Sequence, residues 1–295
     1  MLTLGYLAEL LEKHRDAAKA RVHEFAIGNR EFAFNSRSAI MGVVNLSPDS
    51  WYRESVCLDA DAAIQRGRVL SAQGADLVDL GAESTLGHAA RLDNGLQNSR
   101  LLPVVKGLRA AGILVSVETY EPAVAQACLE AGADVLNLTG TKGADEMYRM
   151  VAAHNAAVIL CHVQGPNVRE VGDFDFSADS TVMLCEYFAR QIEQASRCGV
   201  NKVLIDPGLG FYYRNLQDSA VRIRHQMNVF LNTFRLRRLG FPVCHALPHA
   251  FEFFREEVRC AEPFFAVLAA LGKTDLFRTH EVPRVKAVLE TLNGF

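Results

Sequence analysis

The run Gln73-Gly74-Ala75-Asp76-Leu77-Val78-Asp79-Leu80 decides the fold. A helix-like stretch ends at a glycine, one or two residues turn the chain, and a short apolar run follows. Glycine just past a helix end supplies the left-handed conformation that closes the helix. A short apolar run with little polar alternation reads as a parallel strand buried on both faces. The pattern returns at Ala111-Gly112 before Ile113 to Val117, and at Gly132-Ala133-Asp134 before Val135-Leu136-Asn137. Later copies are Cys198-Gly199 before Val203-Leu204-Ile205, Leu239-Gly240 before Pro242 to Cys244, and Leu271-Gly272 before Asp275-Leu276-Phe277.

Extended over the chain, the pattern predicts eight strands, near 39–45, 76–80, 113–117, 134–138, 157–163, 202–206, 242–246 and 274–278. Helices are predicted between and after them, near 59–73, 93–111, 121–131, 144–154, 179–198, 216–239, 251–271 and 282–293. Strict alternation of eight strands with eight helices is the count of an α/β (β/α)8 barrel. The rival, a doubly wound open sheet, usually carries a glycine-rich dinucleotide turn after its first strand. Asn45-Leu46-Ser47-Pro48 is not such a turn.

Length and composition agree with one barrel. The 295 residues accommodate a barrel of about 250 plus an N-terminal extension. Residues 1–36 are read as that extension, packed on a barrel spanning 37–295. Within it, 3–20 reads as an amphipathic helix through Leu4, Leu7, Leu10 and Leu11, and 22–36 as a hairpin turning at Gly28-Asn29. Both are expected to cover the N-terminal end of the barrel. A net charge of −3 argues against nucleic-acid binding, which needs a basic stripe. Seven scattered cysteines without a C-x-x-C pair form neither a disulfide framework nor a zinc site and suit a reducing cytoplasm. The charged N-terminus does not read as a signal peptide, and no apolar run reaches 18 residues, so no membrane span is expected.

In a (β/α)8 barrel, chemistry sits where strands end and βα loops begin. Here those junctions carry Asn45 to Ser50, Glu83-Ser84-Thr85, Glu118-Thr119, Asn137, His162 and Gln164, Asp206 to Phe211, and Arg278-Thr279-His280. Taken singly, an Asp or Asn before a glycine-rich turn is an ordinary turn former. Together they fall at one end of the barrel, which independent turn formers need not do. Asp206 closes an apolar run, and a buried carboxylate needs a partner, ideally two parallel N–H groups. Asn137 offers a donor and an acceptor. Arg278 and His280 alternate along one strand, so both point the same way, an arrangement suited to phosphate or pyrophosphate. The carbonyl oxygen of Asn45 suits Mg²⁺.

These blocks resemble one family. Met41-Gly42-Val43-Val44-Asn45-Leu46-Ser47-Pro48-Asp49-Ser50 resembles the opening signature of dihydropteroate synthases, and Asp79-Leu80-Gly81-Ala82-Glu83-Ser84-Thr85 the second. Ser116 to Tyr120, Ala131 to Asn137, His162 to Gly165, Ile205 to Phe211 and Arg278 to His280 follow in family order, so the resemblance covers about 37–293. It implies a transferase that joins p-aminobenzoate, or a similar arylamine, to a dihydropterin methyl diphosphate and releases pyrophosphate. By resemblance, Asn137, Asp206, Glu118, Phe211, His249 and Arg278 hold the pterin; Asn45, Arg278 and His280 meet the pyrophosphate; Asn45 takes Mg²⁺; and Arg278, His280 and Thr85 form the catalytic set.

The sequence also departs from the family. Leu86-Gly87 stands where Arg-Pro is usual, Glu118 replaces an Asp, Leu138 another Asp, and Leu247-Pro248-His249 a Ser-Arg-Lys signature. His249 and Arg53 are the candidates to stand in for the missing Lys and Arg. The expectation is a divergent paralogue with altered or reduced activity. The alternative is a catalytically inactive pterin or folate binder acting as a partner subunit. A pterin-dependent methyltransferase, on the same barrel, is disfavoured by the first-strand signature. Large apolar residues at 221–234 and 251–265 predict a homodimer through the C-terminal helices, with burial inside the barrel shell as the competing reading.

Overall fold

The computed structural model describes the chain except residues 1, 51, 85–88, 90, 174–178, 211, 212 and 295, and the side chain of residue 214. Eight parallel strands form the barrel: β3 (Ala39–Asn45), β4 (Leu77–Gly81), β5 (Val115–Thr119), β6 (Val135–Leu138), β7 (Ala157–Cys161), β8 (Val203–Asp206), β9 (Cys244–Ala246) and β10 (Leu276–Thr279). Their order is β8-β7-β6-β5-β4-β3-β10-β9. Closure between β8 and β9 rests on one parallel bridge, Ile205 to Val243, with the Ile205 N–H donating to the Pro242 carbonyl at 3.0 Å.

The helices follow the expected alternation: α2 (Ala60–Ala72), α3 (Asn94–Ala110), α4 (Pro122–Glu130), α5 (Ala144–Ala153), α6 (Ser180–Arg197), α7 (Ser219–Leu236), α8 (Phe251–Phe254), α9 (Ala261–Leu271) and α10 (Val282–Asn293). One expected helix, 251–271, is broken into α8, a 3-10 stretch and α9. Arg255 adopts φ +46, which ends α8. Pro263 lies in the first turn of α9, where its missing N–H costs nothing. The break places Glu262 at the N-terminal end of α9.

Five of the six glycines in the repeat take positive φ; Gly272 does not. A Cβ there would lie 1.8 Å from the Phe230 carbonyl oxygen, so this glycine is required by the close approach of α9 to α7. Lys273 takes the left-handed step instead, at φ +64.

Period-two alternation sorts the strands. Outward residues such as Ile40, Val44, Val78, Leu80, Val115, Val117, Leu136 and Val158 pack against the helices in one core. Inward residues Met41, Leu77, Val135, Ala157, Leu204, Cys244 and Leu276 form a second core at the strand starts. The hairpin of β1 (Phe25–Ile27) and β2 (Arg30–Phe32) joins that second core through Ile27 and Phe32, and turns at Gly28-Asn29 as expected. The helix α1 (Leu4–Lys13) does not cover the barrel end. None of its residues is buried, and Tyr6 donates to Asn228 of α7 at 3.3 Å. Its apolar spacing suffices to lean Leu7 and Leu10 on the helical shell.

Candidate active site

The same alternation that fills the lower barrel with apolar side chains aims polar ones into its upper half. Asp79 lies two residues beyond Leu77, Asn137 two beyond Val135, Asp206 two beyond Leu204, and Arg278 two beyond Leu276. Glu118 pairs in register with Asn137 on the neighbouring strand, and Cys161 with Asp206. A cavity of about 130 Å³ at this mouth is lined by Asn45, Glu118, Asn137, Asp206, His249, Arg278 and His280, among others. These are seven of the nine side chains expected at the site. The other two, Thr85 and Phe211, lie outside the described residues.

His162 is not among the lining residues. It follows the inward-facing Cys161, so parity turns it outward, and its ring meets Tyr187 of α6 edge-on at 4.7 Å. Arg53 is exposed, donates to the Pro48 carbonyl and is not among the lining residues either. Of the two suggested stand-ins, only His249 faces the cavity.

The floor of the site is a charged network centred on Asp79, a residue whose role the sequence motif does not reveal. Arg278 donates from Nε to Asp79 Oδ2 at 2.7 Å and from Nη2 to Glu118 Oε2 at 2.6 Å. Asn137 Nδ2 donates to the same Asp79 oxygen at 3.2 Å, and Ser116 Oγ to the other. Cys161 Sγ donates to Asn137 Oδ1 at 3.4 Å. Burial opposes the charge on Arg278, but Asp79 and Glu118 outweigh it and hold the guanidinium cationic. Among the described residues its Nη1 has no hydrogen-bond partner and remains available to an anion.

Two carboxylates face the cavity with capacity to spare. Asp206 accepts the Gly208 N–H at 2.8 Å and the Cys244 thiol. Burial pushes it up to about 6, against the pull of that N–H and of Arg278. Burial also raises Glu118, opposed by Arg278 and helped by repulsion from Asp79 and Asp206.

The opposite wall is aromatic and imidazole-rich. Tyr52 stacks on His249 with ring centroids 4.8 Å apart and an interplanar angle of 27°, and lies 4.8 Å from His280 at 30°. Its hydroxyl donates to Glu281, which Arg259 grips from Nε at 2.6 Å and from Nη2 at 3.0 Å. Behind the imidazoles, Glu262 accepts from His280 Nδ1 at 2.8 Å. Neither Tyr52 nor Glu262 carries a strand-end signal in the sequence. Tyr52 sits in the loop after β3, and Glu262 reaches the site only because α9 starts where it does.

Comparison with known proteins assigns the barrel. Residues 41–243 match the family described as pterin binding enzyme. The dihydropteroate synthase of Streptococcus pyogenes serotype M6 is 30% identical over 217 residues, which cover 72% of this chain and 76% of that protein. The chain belongs to the dihydropteroate synthase family of pterin-binding enzymes. The folate synthesis bifunctional protein of Arabidopsis thaliana is 30% identical over 233 residues, 76% of this chain but 46% of that longer protein. Among solved structures, the dihydropteroate synthase of Xanthomonas albilineans with 4-aminobenzoic acid superposes with a TM-score of 0.77 at 27% identity, covering 92% of this chain and 97% of that one. The family likeness therefore extends beyond the matched signatures to nearly the whole described fold.

Proposed function

We propose that this protein is a transferase of the dihydropteroate synthase type, condensing a dihydropterin methyl diphosphate with an arylamine such as p-aminobenzoate. The observation that carries this reading is the convergence of carboxylate acceptors, Asn137 and the Arg278–His280 pair in one cavity at the strand ends of a barrel of this family. Asp206 and Glu118 accept from the N–H edge of the pterin, with Asn137 reading its other heteroatoms. The amine nitrogen bonds to the methylene carbon as the C–O bond to the diphosphate breaks. Pyrophosphate leaves with the electron pair, and the amine proton passes to solvent. A neutral arylamine is already nucleophilic, so the protein's part is positioning and stabilising the departing anion through Arg278 and His280.

The residues present fit Mg²⁺ on the pyrophosphate side. Asn45 gives its Nδ2 to Ser55 Oγ at 2.6 Å, which leaves its carbonyl oxygen for a hard cation. When bound, the ion would offset the charge of the diphosphate. A homodimer through the C-terminal helices belongs to this proposal too. Phe253 and Phe264 are exposed and support it, whereas Phe230, Phe234 and Phe265 are consumed by the barrel shell. Seven unpaired cysteines support a cytoplasmic, reducing setting.

The test is calorimetric titration with the dihydropterin methyl diphosphate and Mg²⁺, followed by p-aminobenzoate with pyrophosphate release recorded. Binding and release together are expected. Binding without release would reduce the protein to a pterin binder, and no binding would overturn the assignment.

A further inference from the structure

Three ligating side chains converge on the wall opposite the carboxylates. His249 lies beyond the end of β9, His280 beyond the end of β10, and Glu262 in the first turn of α9 behind both. Glu262 is 1% exposed. Its Oε2 is fully engaged, accepting the His280 N–H at 2.9 Å, the Glu281 N–H at 3.1 Å and the Thr279 hydroxyl. Its Oε1 is turned to two imidazoles, 2.8 Å from His280 Nδ1 and 3.4 Å from His249 Nδ1.

A carboxylate–imidazole hydrogen bond accounts for His280 alone. It leaves His249 Nδ1 buried with no hydrogen-bond partner, held in place by the Tyr52 ring. A buried polar atom aimed at a carboxylate oxygen it does not bond is an incomplete arrangement. One cation between the three atoms would complete it.

We propose that His249 Nδ1, His280 Nδ1 and Glu262 Oε1 form a binding site for a divalent cation of the Zn²⁺ class. The three ligating atoms lie within 4.8 Å of one another. Metal–ligand bonds of about 2.0–2.2 Å reach all three once the His280–Glu262 contact opens slightly and the two imidazoles draw closer together. Two imidazoles and one carboxylate suit a borderline cation, unlike the all-oxygen shell that Mg²⁺ prefers. The outer shell is already built, because Thr279 and two backbone N–H groups fix Glu262, and Tyr52 covers both imidazole rings. The site is distinct from the Mg²⁺ position. Asn45 approaches the opposite edge of the His280 ring, 3.5 Å from Nε2. Three protein ligands leave one tetrahedral position for water or a ligand oxygen.

The site does not depend on the transferase reading, and its test uses no pterin. Chelator-stripped full-length protein is titrated with Zn²⁺ alone by calorimetry, with bound metal counted by elemental analysis. One tightly bound ion per chain is expected, and Co²⁺ in its place should show the strong visible absorption of a four-coordinate site. His249→Ala should weaken binding at least about 100-fold, more than loss of an outer-shell partner costs. Cys260→Ser, which removes the exposed thiol nearby, should leave it unchanged. Glu262→Gln should weaken it as well. Because Glu262 also anchors β10, His249→Ala carries the decision, with thermal melts showing that the variant folds. Absence of a tight ion, or tight binding indifferent to His249→Ala, would overturn the site and leave Glu262 as a residue that only positions His280.

Discussion

Both ends of this barrel bury carboxylates, and they use them in opposite ways. At the strand starts, Asp76, Asp134 and Asp275 each accept a backbone N–H from the neighbouring strand, from Ile40 at 2.8 Å, Val115 at 2.9 Å and Val243 at 2.8 Å. Each also has an arginine: Arg37 with Arg30, Arg109, and Arg237 respectively. At the strand ends, Asp206 receives one N–H and a thiol, and Glu118 receives one arm of Arg278. Burial pushes Asp275 up to about 7 and Asp206 up to about 6. A perturbed acidity therefore does not tell the two ends apart. What differs is the supply of donors. The lower carboxylates are satisfied inside the protein and stitch strands together; Asp206 and Glu118 keep lone pairs for a ligand.

The sharpest way to break this contrast is to remove one carboxylate from each end. Asp206→Ala should lose two charge-assisted hydrogen bonds to the pterin, about 3–6 kcal/mol in all or more than 100-fold in affinity, with little loss of stability. Calorimetry with the dihydropterin methyl diphosphate and a urea melt read the two effects, and affinity within threefold of wild type would remove Asp206 from the site. Asp275→Ala should do the reverse. It strands Arg237, whose side chain is 7% exposed, and should cost about 3–5 kcal/mol of stability while the remaining folded protein binds pterin normally. A smaller effect is expected at the hairpin that caps the lower end. Gly28 sits at φ +58, and a Cβ there would lie 2.7 Å from Leu114 Cδ2 and 2.9 Å from Asp134 Oδ1. Gly28→Ala should cost about 1–2 kcal/mol in a urea melt and leave pterin affinity unchanged.

The contrast also explains what is legible in the sequence. The repeat of a helix-ending glycine before an apolar run exposes the fold, because each copy marks a helix end, a turn and a strand start at once. Strand parity then brings Asn45, Glu118, Asn137, Asp206, Arg278 and His280 to the mouth, since a period of two leaves no freedom once the core face is known. Parity also corrects His162, which falls on the outward face. The opposite wall is not legible this way. Tyr52 reaches it from a loop, and Glu262 from a helix whose start depends on Pro263 and on the positive φ of Arg255, neither of which belongs to the repeat. Asp79 escapes for another reason. Its work is internal, holding Arg278 and Asn137, and a motif does not distinguish a residue that touches ligand from one that aims those that do.

A pH series tests whether Asp206 is held for ligand at the expense of the fold. Accepting two N–H groups requires the ionised carboxylate, and in the free site its acidity lies near 6. Pterin affinity should therefore fall as pH drops through 6, by about tenfold between pH 7.5 and 5. Stability should run the other way. A carboxyl whose folded acidity is raised above its unfolded value of 3.8 contributes stability that is complete below the unfolded value and lost as pH rises through 6. Relative to Asp206→Asn, wild type should lose up to about 3 kcal/mol between pH 4 and 7, read by urea melts at each pH. If that difference is flat while the affinity still falls, the proton that weakens binding sits elsewhere, and Glu118, raised by the same burial and still present in Asp206→Asn, is the next carboxyl to replace. If both slopes appear and the affinity slope vanishes in Asp206→Asn, one carboxylate accounts for both, destabilising the empty barrel in order to bind.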